Sequence, residues 1–439
     1  MNIKSLGFQR YFKNTSWLVA DKIVTLVTAV LVGALVARYL GPDSYGLLMY
    51  AHSFAAFFLI FSGAGLISIL VRNLVKNPQS TFMILGTAFV IKGLASFASL
   101  ITFYLITLIV PENPFTNYLI LIIILVTLFE PFKVIDYYFQ SKVLSKYVVK
   151  VHFFQTLIAA IIKIALIYFK ANLEWFAYAF LIENAIGAVG LVLMYKVTSG
   201  SLGLKKFKFD LTYAKSLIKD GWPLLFSGFV IVIYLKVDQI MIKHMLDSAS
   251  VGHYAVAVKI SKVWFFLGTA ICASLFPAII NAKKKNQKMY YARLQKLYDF
   301  LAILGFAIAI VMTIFSSKII LILFGEAYQP AIGVLIIHIW AVVFVYMGVS
   351  SSKWLVAENL QRITLNRTLL GAGVNLVLNF VLIPIMGIKG AALATLISQA
   401  VASYFGHAIS PHTRSTFKML TKSLLLYNLV NKVWVRLLK

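Results

Sequence analysis

Four side chains of one apolar segment recur at every fourth position: Arg367, Gly371, Asn375 and Asn379. A second segment carries Glu130, Lys133, Asp136 and Gln140, which fall within about 120° of one another at about 100° per residue on an α-helix. His152, Gln155 and Lys163 form a similar stripe on a third, and Lys259 and Lys262 lie one turn apart on a fourth. Neighbouring apolar runs add Asp21, Lys22, Lys92, Glu183, Lys236 and Asp238. Ionisable groups in such runs cost several kcal/mol unless they face protein, water or a partner, so each stripe marks a polar interior surface. That surface suits reversible binding of charged and hydroxylated groups. Signs of covalent chemistry are absent: there is no GxxxxGK[ST] phosphate loop, no HExxH, and no polar block long enough to house a catalytic site. The chain is therefore expected to be no enzyme and to need no cofactor or metal. Its single cysteine, Cys272, excludes an internal disulfide and a cysteine zinc site.

The elements that must hold these residues are membrane helices. Hydrophobic residues make up 61% of the 439 and charged residues only 13%, far from the soluble average of about 25% charged. Apolar stretches of at least about 20 residues, the length that spans a bilayer, recur about twelve times. They lie near 16–38, 45–71, 82–110, 116–138, 147–169, 174–196, 218–243, 251–280, 298–323, 330–353, 364–386 and 389–409. The fold class is all-α and polytopic. The first stretch is too long for a signal-peptide core and lacks a cleavage site, so it is expected to stay as a span.

The net charge of +27 is explained by loops and gives no reason to invoke nucleic acid. About 26 of the 41 Lys and Arg fall on one set of alternate loops and about four on the other, an asymmetry that predicts both termini in the cytoplasm. The polar connection at 201–217 divides the spans into two six-helix bundles, 1–200 and 218–409. Leu40 and Gly46 match Leu246 and Gly252 at one offset, and Lys163 and Glu183 match Asn379 and Gln399 at another. The halves thus read as repeats related by an axis along the membrane normal. In "ARYLGPDSYGLLMY" a tight turn joins the first two helices of the first half, with Asp43 or Ser44 expected to cap the second helix, and it recurs as "LDSASVG". Residues 410–439 place Arg414, Lys418 and Lys422 at i, i+4 and i+8 among Phe417, Leu420, Leu424 and Trp434. This predicts an amphipathic tail helix on the inner leaflet.

Basic groups within spans (Lys22, Lys92, Lys133, Lys150, Lys163, Lys236, Lys259, Lys262, Lys353 and Arg367) outnumber the acids Asp21, Glu130, Asp136, Glu183, Asp238 and Asp299. The surplus predicts a cationic interior that takes phosphate or carboxylate groups. Asp21 and Asp238 occupy nearly corresponding places in the two halves. With Glu130 and Glu183 they are the candidates for proton or sodium coupling, and a simple ion pair with a neighbouring lysine is the alternative for each.

"LVARYLGPDSYGLLMYAHSF", preceded by Trp17 and followed by "SGAGLISILVRNL", resembles the N-terminal signature of the polysaccharide-export flippases. These are the O-antigen (Wzx-type) branch of the multidrug/oligosaccharidyl-lipid/polysaccharide (MOP) superfamily. The resemblance implies a MATE-like fold and an undecaprenyl-diphosphate-linked oligosaccharide as substrate. Such a unit, of O-antigen or a similar lipopolysaccharide component, would be moved from the cytoplasmic to the outer leaflet of a bacterial inner membrane. On that reading Lys133, Lys163, Lys236, Lys259, Lys262 and Arg367 supply charge for the diphosphate. Asn375 and Asn379, with Gln155, Gln399, Tyr137 and Tyr234, face the sugars. A complex with the polymerase of the same glycan follows by family analogy. Two other classes remain: a MATE-type drug/cation antiporter, to which buried lysines are unfavourable, and a membrane glycan enzyme, which lacks its large outer loop or acidic cluster.

Overall fold

The computed structural model describes residues 6–63, 65–109, 112–199, 203–283 and 286–427. Among them the chain is helical and contains no strand, as a lipid-spanning chain requires when its backbone groups must be satisfied within the segment. Eleven helical stretches of the described residues are long and apolar enough to cross a membrane. The longest, Ser16–Lys76, covers 61 residues and holds two of the expected spans, so the total agrees with about twelve. The protein is a polytopic membrane protein.

The chain divides into two compact units, 1–236 and 237–439. In the first, α1 (Leu6–Gly63) is broken at Gly41, and α2 (Ile67–Lys76) and α3 (Thr81–Ile109) follow. Next come α4 (Pro114–Ile124), a 3-10 stretch at Leu125–Lys133 and α5 (Val134–Ser141), which together make the fourth span. Then α6 (Ser145–Tyr168), α7 (Leu173–Ser199) and most of α8 (Leu211–Met245) complete the unit. The division falls inside α8, beyond the 201–217 linker, because the early turns of this helix pack within the first unit: Phe229 meets Phe57 and Phe61 at 5.8 and 5.4 Å between ring centres.

The second unit holds the end of α8, then α9 (Ser248–Val263), α10 (Phe265–Lys283), α11 (Gln287–Phe324), α12 (Ala331–His338) and α13 (Ala341–Ala357). It continues with α14 (Gln361–Met386), α15 (Ile388–Ala400), a π-helical turn at Val401–Phe405, α16 (Gly406–Ile409) and α17 (Arg414–Leu424).

The two corresponding turns are built differently. Gly41 has φ 72° and ψ 170°, a conformation open in practice to glycine alone. It ends one helical segment and lets Pro42 start the next, where a missing N–H costs nothing. Neither Asp43 nor Ser44 makes a capping hydrogen bond, contrary to expectation, since Gly41 already occupies the cap position. In the second unit a side-chain cap does form: Asp247 accepts from the backbone N–H of Ser250 at 2.7 Å, which holds its carboxyl below the usual range.

The tail helix is a docked part of the second unit. On α17, Thr416, Leu420 and Ser423 are buried. Ser423 donates to Asp299 at 2.6 Å, and Gln295 donates to the Met419 carbonyl at 3.0 Å. Arg414, Lys418 and Lys422 all point outward. The expected helix over 410–439 is thus seen at Arg414–Leu424, and Trp434 lies outside the described residues.

Replacing Gly41 by Ala should cost about 1–3 kcal/mol through the disfavoured backbone. Thermal unfolding of the purified variant in detergent should show a lower midpoint, and an unchanged midpoint would mean that the break tolerates a side chain.

Candidate functional site

The stripe at 130–140 lies on irregular backbone for a local reason. Pro131 has no N–H, so the carbonyl four residues earlier, Thr127, loses its helical donor. Ser96 on α3 supplies one, its hydroxyl lying 2.6 Å from that carbonyl. Over Leu125–Lys133 the 3-10 winding puts residues three apart directly above one another. Lys133 consequently pairs with Glu130. The other carboxylate oxygen of Glu130 accepts from Lys92 Nζ at 3.3 Å. Lys92 is fully buried, with the Tyr137 ring centre 5.6 Å from its ammonium.

Around this triad lies a cavity of about 420 Å³ within the first unit, whose walls include Asp21, Lys22, Glu130, Lys133, Asp136, His152, Gln155, Glu183 and Asn184. Polar residues of α1, α6 and α7 and of the irregular fourth span therefore meet at one place. Asp21 lies 3.3 Å from His152 Nδ1, Gln140 donates to Asp136 at 3.1 Å, and Lys163 donates to Glu183 at 2.7 Å. At Gly187 any Cβ would come within 2.5 Å of the Gln155 amide oxygen, so the glycine makes room for that amide against α7.

The charge balance differs from the sequence expectation. Asp21, Glu130, Asp136 and Glu183 line the cavity with Lys22 and Lys133, while Lys92 and Lys163 reach it through Glu130 and Glu183. Four carboxylates thus face four ammonium groups. The cavity is mixed rather than cationic, because its lysines are matched by acids and the surplus in the count lies outside it, at Lys150, Lys236, Lys259, Lys262, Lys353 and Arg367. Lys133 keeps 46% of its side chain exposed despite its ion pair, and Lys22 is exposed as well.

The second unit contains a different cluster. Asp238, 5% exposed, accepts from Asn379 Nδ2 at 2.7 Å, Thr395 Oγ1 at 2.8 Å and Tyr254 OH at 2.5 Å. Asn379 Nδ2 also reaches Asn375 Oδ1 at 3.1 Å. These three hydrogen-bond donors are neutral, and Lys262 on α9 interacts with the carboxylate electrostatically without pairing with it. Asn375 and Asn379 are completely buried, so the structure brings them to Asp238 and not to an open cavity wall. Asn379 Oδ1 and Asn375 Nδ2 are left without partners. In each unit the aspartate of the first span bonds to a side chain of the fifth, His152 on α6 or Asn379 on α14; the repeat itself matches Asn379 to Lys163, which bonds to Glu183 instead.

Arg367 is 5% exposed. It bonds to His407 and donates to Ser351 and Ser352, each at 3.2 Å, and no described carboxylate pairs with it. Lys259 and Lys262 are half-buried on α9, and Lys236 is the last residue of the first unit. None of these joins the cavity of the first unit. Sequence reasoning missed Tyr254, Thr395, His407 and the two serines, because single hydroxyls and imidazoles in apolar spans carry no spacing signal.

Comparison with known proteins accounts for this architecture. Residues 11–283 match the family model described as polysaccharide biosynthesis protein. The chain belongs to that family. Residues 223–381 also match the MatE model. Among curated relatives, the capsular polysaccharide biosynthesis protein CapF of Staphylococcus aureus is 22% identical, over 90% of this chain and 98% of its own length. The probable low-salt glycan biosynthesis flippase Agl15 of Haloferax volcanii is 27% identical over 50% of this chain and 47% of its own. Among solved structures, an inward-facing MATE family multidrug resistance transporter of the MOP superfamily aligns with TM-score 0.69 at 14% identity, covering 90% of this chain and 96% of that one. The lipid II flippase MurJ in an inward closed conformation aligns with TM-score 0.67 at 18% identity, covering 96% and 93%. The fold is MATE-like.

Removing Glu130 would leave Lys92 buried without its counter-charge, a loss of about 3–5 kcal/mol for a broken buried pair. Glu130→Gln should therefore unfold well below the parent, and adding Lys92→Met should restore much of the loss. A double variant no more stable than Glu130→Gln would show that the pair is not coupled.

Proposed function

We propose that this protein is a flippase for lipid-linked oligosaccharides. It moves undecaprenyl-diphosphate-linked repeat units from the cytoplasmic to the outer leaflet of a bacterial inner membrane by alternating access, with both termini in the cytoplasm. The observation that carries the reading is the polar cavity inside an otherwise apolar unit of a polysaccharide biosynthesis family member. Its carboxylates and the amides of Gln155 and Asn184 are suited to sugar hydroxyls, which both donate and accept hydrogen bonds. Lys22 and Lys133 keep ammonium groups exposed for phosphate oxygens. The names of CapF, Agl15 and MurJ point to the same class of cargo. An O-antigen unit fits this chemistry, and the polymerase of that glycan is the natural neighbour. The reading leaves no role for a catalytic residue.

Coupling to a proton or sodium ion is assigned to Asp238. Asp21, Glu130 and Glu183 each pair directly with a histidine or lysine, whereas the hydrogen bonds to Asp238 come from uncharged donors and Lys262 acts on it only at longer range. Its oxygens, those of Thr395 and the unpartnered Asn379 Oδ1 are hard ligands of the kind a small cation takes.

A second reading, a MATE-type antiporter of organic cations, gains from two observations. The MatE match covers 223–381, and the balanced cavity lacks the lysine excess that would repel a cation.

Proteoliposomes containing a polyprenyl-diphosphate-linked oligosaccharide test both, with a cationic dye in parallel. Protein-dependent movement of the glycolipid is expected. Lys22→Ala and Lys133→Ala should each slow it roughly tenfold, the loss of about one charged hydrogen bond. Dye movement without glycolipid movement would favour the antiporter. Asp238→Asn should abolish any dependence of the rate on sodium or pH, and a variant that kept the parental dependence would place coupling elsewhere.

A further inference from the structure

The first unit carries a second cavity of opposite chemistry. About 510 Å³ lies between the end of α1, the middle of α3 and the early turns of α8, with Phe58, Phe61, Leu94, Trp222 and Leu225 in its walls. Ser99 and Thr102 bring the only hydroxyls among the described lining residues. Ser99 turns its own inward, onto the carbonyls of Ala95 at 2.8 Å and Phe58 at 3.3 Å. Ala95, Ala98 and Gly221 give the groove its depth. Its rim opens outward at Leu94 and Trp222, which are 64% and 62% exposed. The α8 wall begins next to the exposed Lys215 and Lys219 and to Asp220, which lies 3.9 Å from Arg72. Charged groups of this kind mark the water interface on the side of the basic loops.

This groove and the polar cavity lie back to back. Leu66 lines the one and Ile67 the other. On α3, Ile91 faces the groove, while Lys92 beside it holds Glu130 of the polar cavity. A ligand that satisfies both has a head rich in hydroxyls and charge and a long apolar tail joined to it near the membrane surface. We propose that the groove is the seat of the isoprenoid tail of a lipid-linked glycan, whose head occupies the adjoining polar cavity. The inference rests on the flippase reading for the identity of the head. A methyl-branched chain is thicker than a straight acyl chain and fills the space between the rings of Phe58, Phe61 and Trp222, burying apolar surface on every side.

The test uses the full-length protein in proteoliposomes with a polyprenyl phosphate carrying a photoreactive diazirine in its tail. Labelling is expected within 91–102 and 218–225, reduced by excess polyprenyl phosphate and not by excess phosphatidylglycerol. Ala98→Trp, at an exposed position that folding should tolerate, and Leu225→Trp as a second filling variant should each cut labelling at least tenfold. Equal competition by phosphatidylglycerol would identify the groove as a site for ordinary lipid only and overturn the proposal. So would undiminished labelling of both variants. Glycolipid movement is scored separately: labelling as expected with no movement by the parent protein would sink the flippase reading and leave the groove as an isoprenoid site. Movement by the parent with no labelling of these segments would do the reverse.

Discussion

A carboxylate held between two ammonium groups is the interaction on which the first unit depends. Lys92 sits in the middle of α3 with no access to water, a position that is costly unless a negative charge lies within reach. Glu130 supplies that charge only because the chain winds tightly around it. The same 3-10 winding stacks Lys133 over Glu130, and Pro131, which helps to cause it, frees a carbonyl that Ser96 then satisfies. Two spans, α3 and the fourth, are thereby fixed to one another at the wall of a cavity. The interaction keeps the cavity polar without making it strongly positive or negative.

The second unit solves a related problem by another route. Asp238 is nearly as deeply enclosed as Lys92, yet its hydrogen bonds come from hydroxyl and amide dipoles, and Lys262 acts on it without forming an ion pair. Arg367 likewise has serine and histidine partners, and a π-helical turn directly precedes the short helix that carries His407. In the first unit irregular backbone occurs where protein packs against it and a side chain completes its hydrogen bonds, the setting in which lipid-bound structure tolerates it. Both units link their first span to their fifth, with different chemistry at the link.

Much of the fold was legible in the sequence, because a span must be apolar for about 20 residues and loops must be polar. Gly41 and Pro42 announce a break whatever the surroundings. The stripe residues Glu130, Lys133 and Asp136 do share one cavity, although on the 3-10 stretch the α-helical angle that grouped them does not apply. Pairing was much less legible. Which lysine meets which acid depends on the neighbours chosen by each helix, and the period of a single helix says nothing about that choice. Counting lysines against acids thus gave the correct surplus for the chain and the wrong charge for this cavity. Asn375 and Asn379 were recognisable as interior residues, but their enclosure around Asp238 follows from Tyr254 and Thr395, ordinary residues of apolar helices.

The cage around Asp238 has an electrical consequence. Dipoles steady a charge without cancelling it, so the carboxylate remains exposed to the field across the bilayer. That field does about 2.3 kcal/mol of work on an elementary charge for each 100 mV it traverses. Any displacement of the second unit along the membrane normal carries Asp238 together with Lys262, so voltage acts on the sum of these and the unit's other charges. Binding a monovalent cation at the cage would shift that sum by one positive charge, so the loaded and empty states would respond differently to the potential.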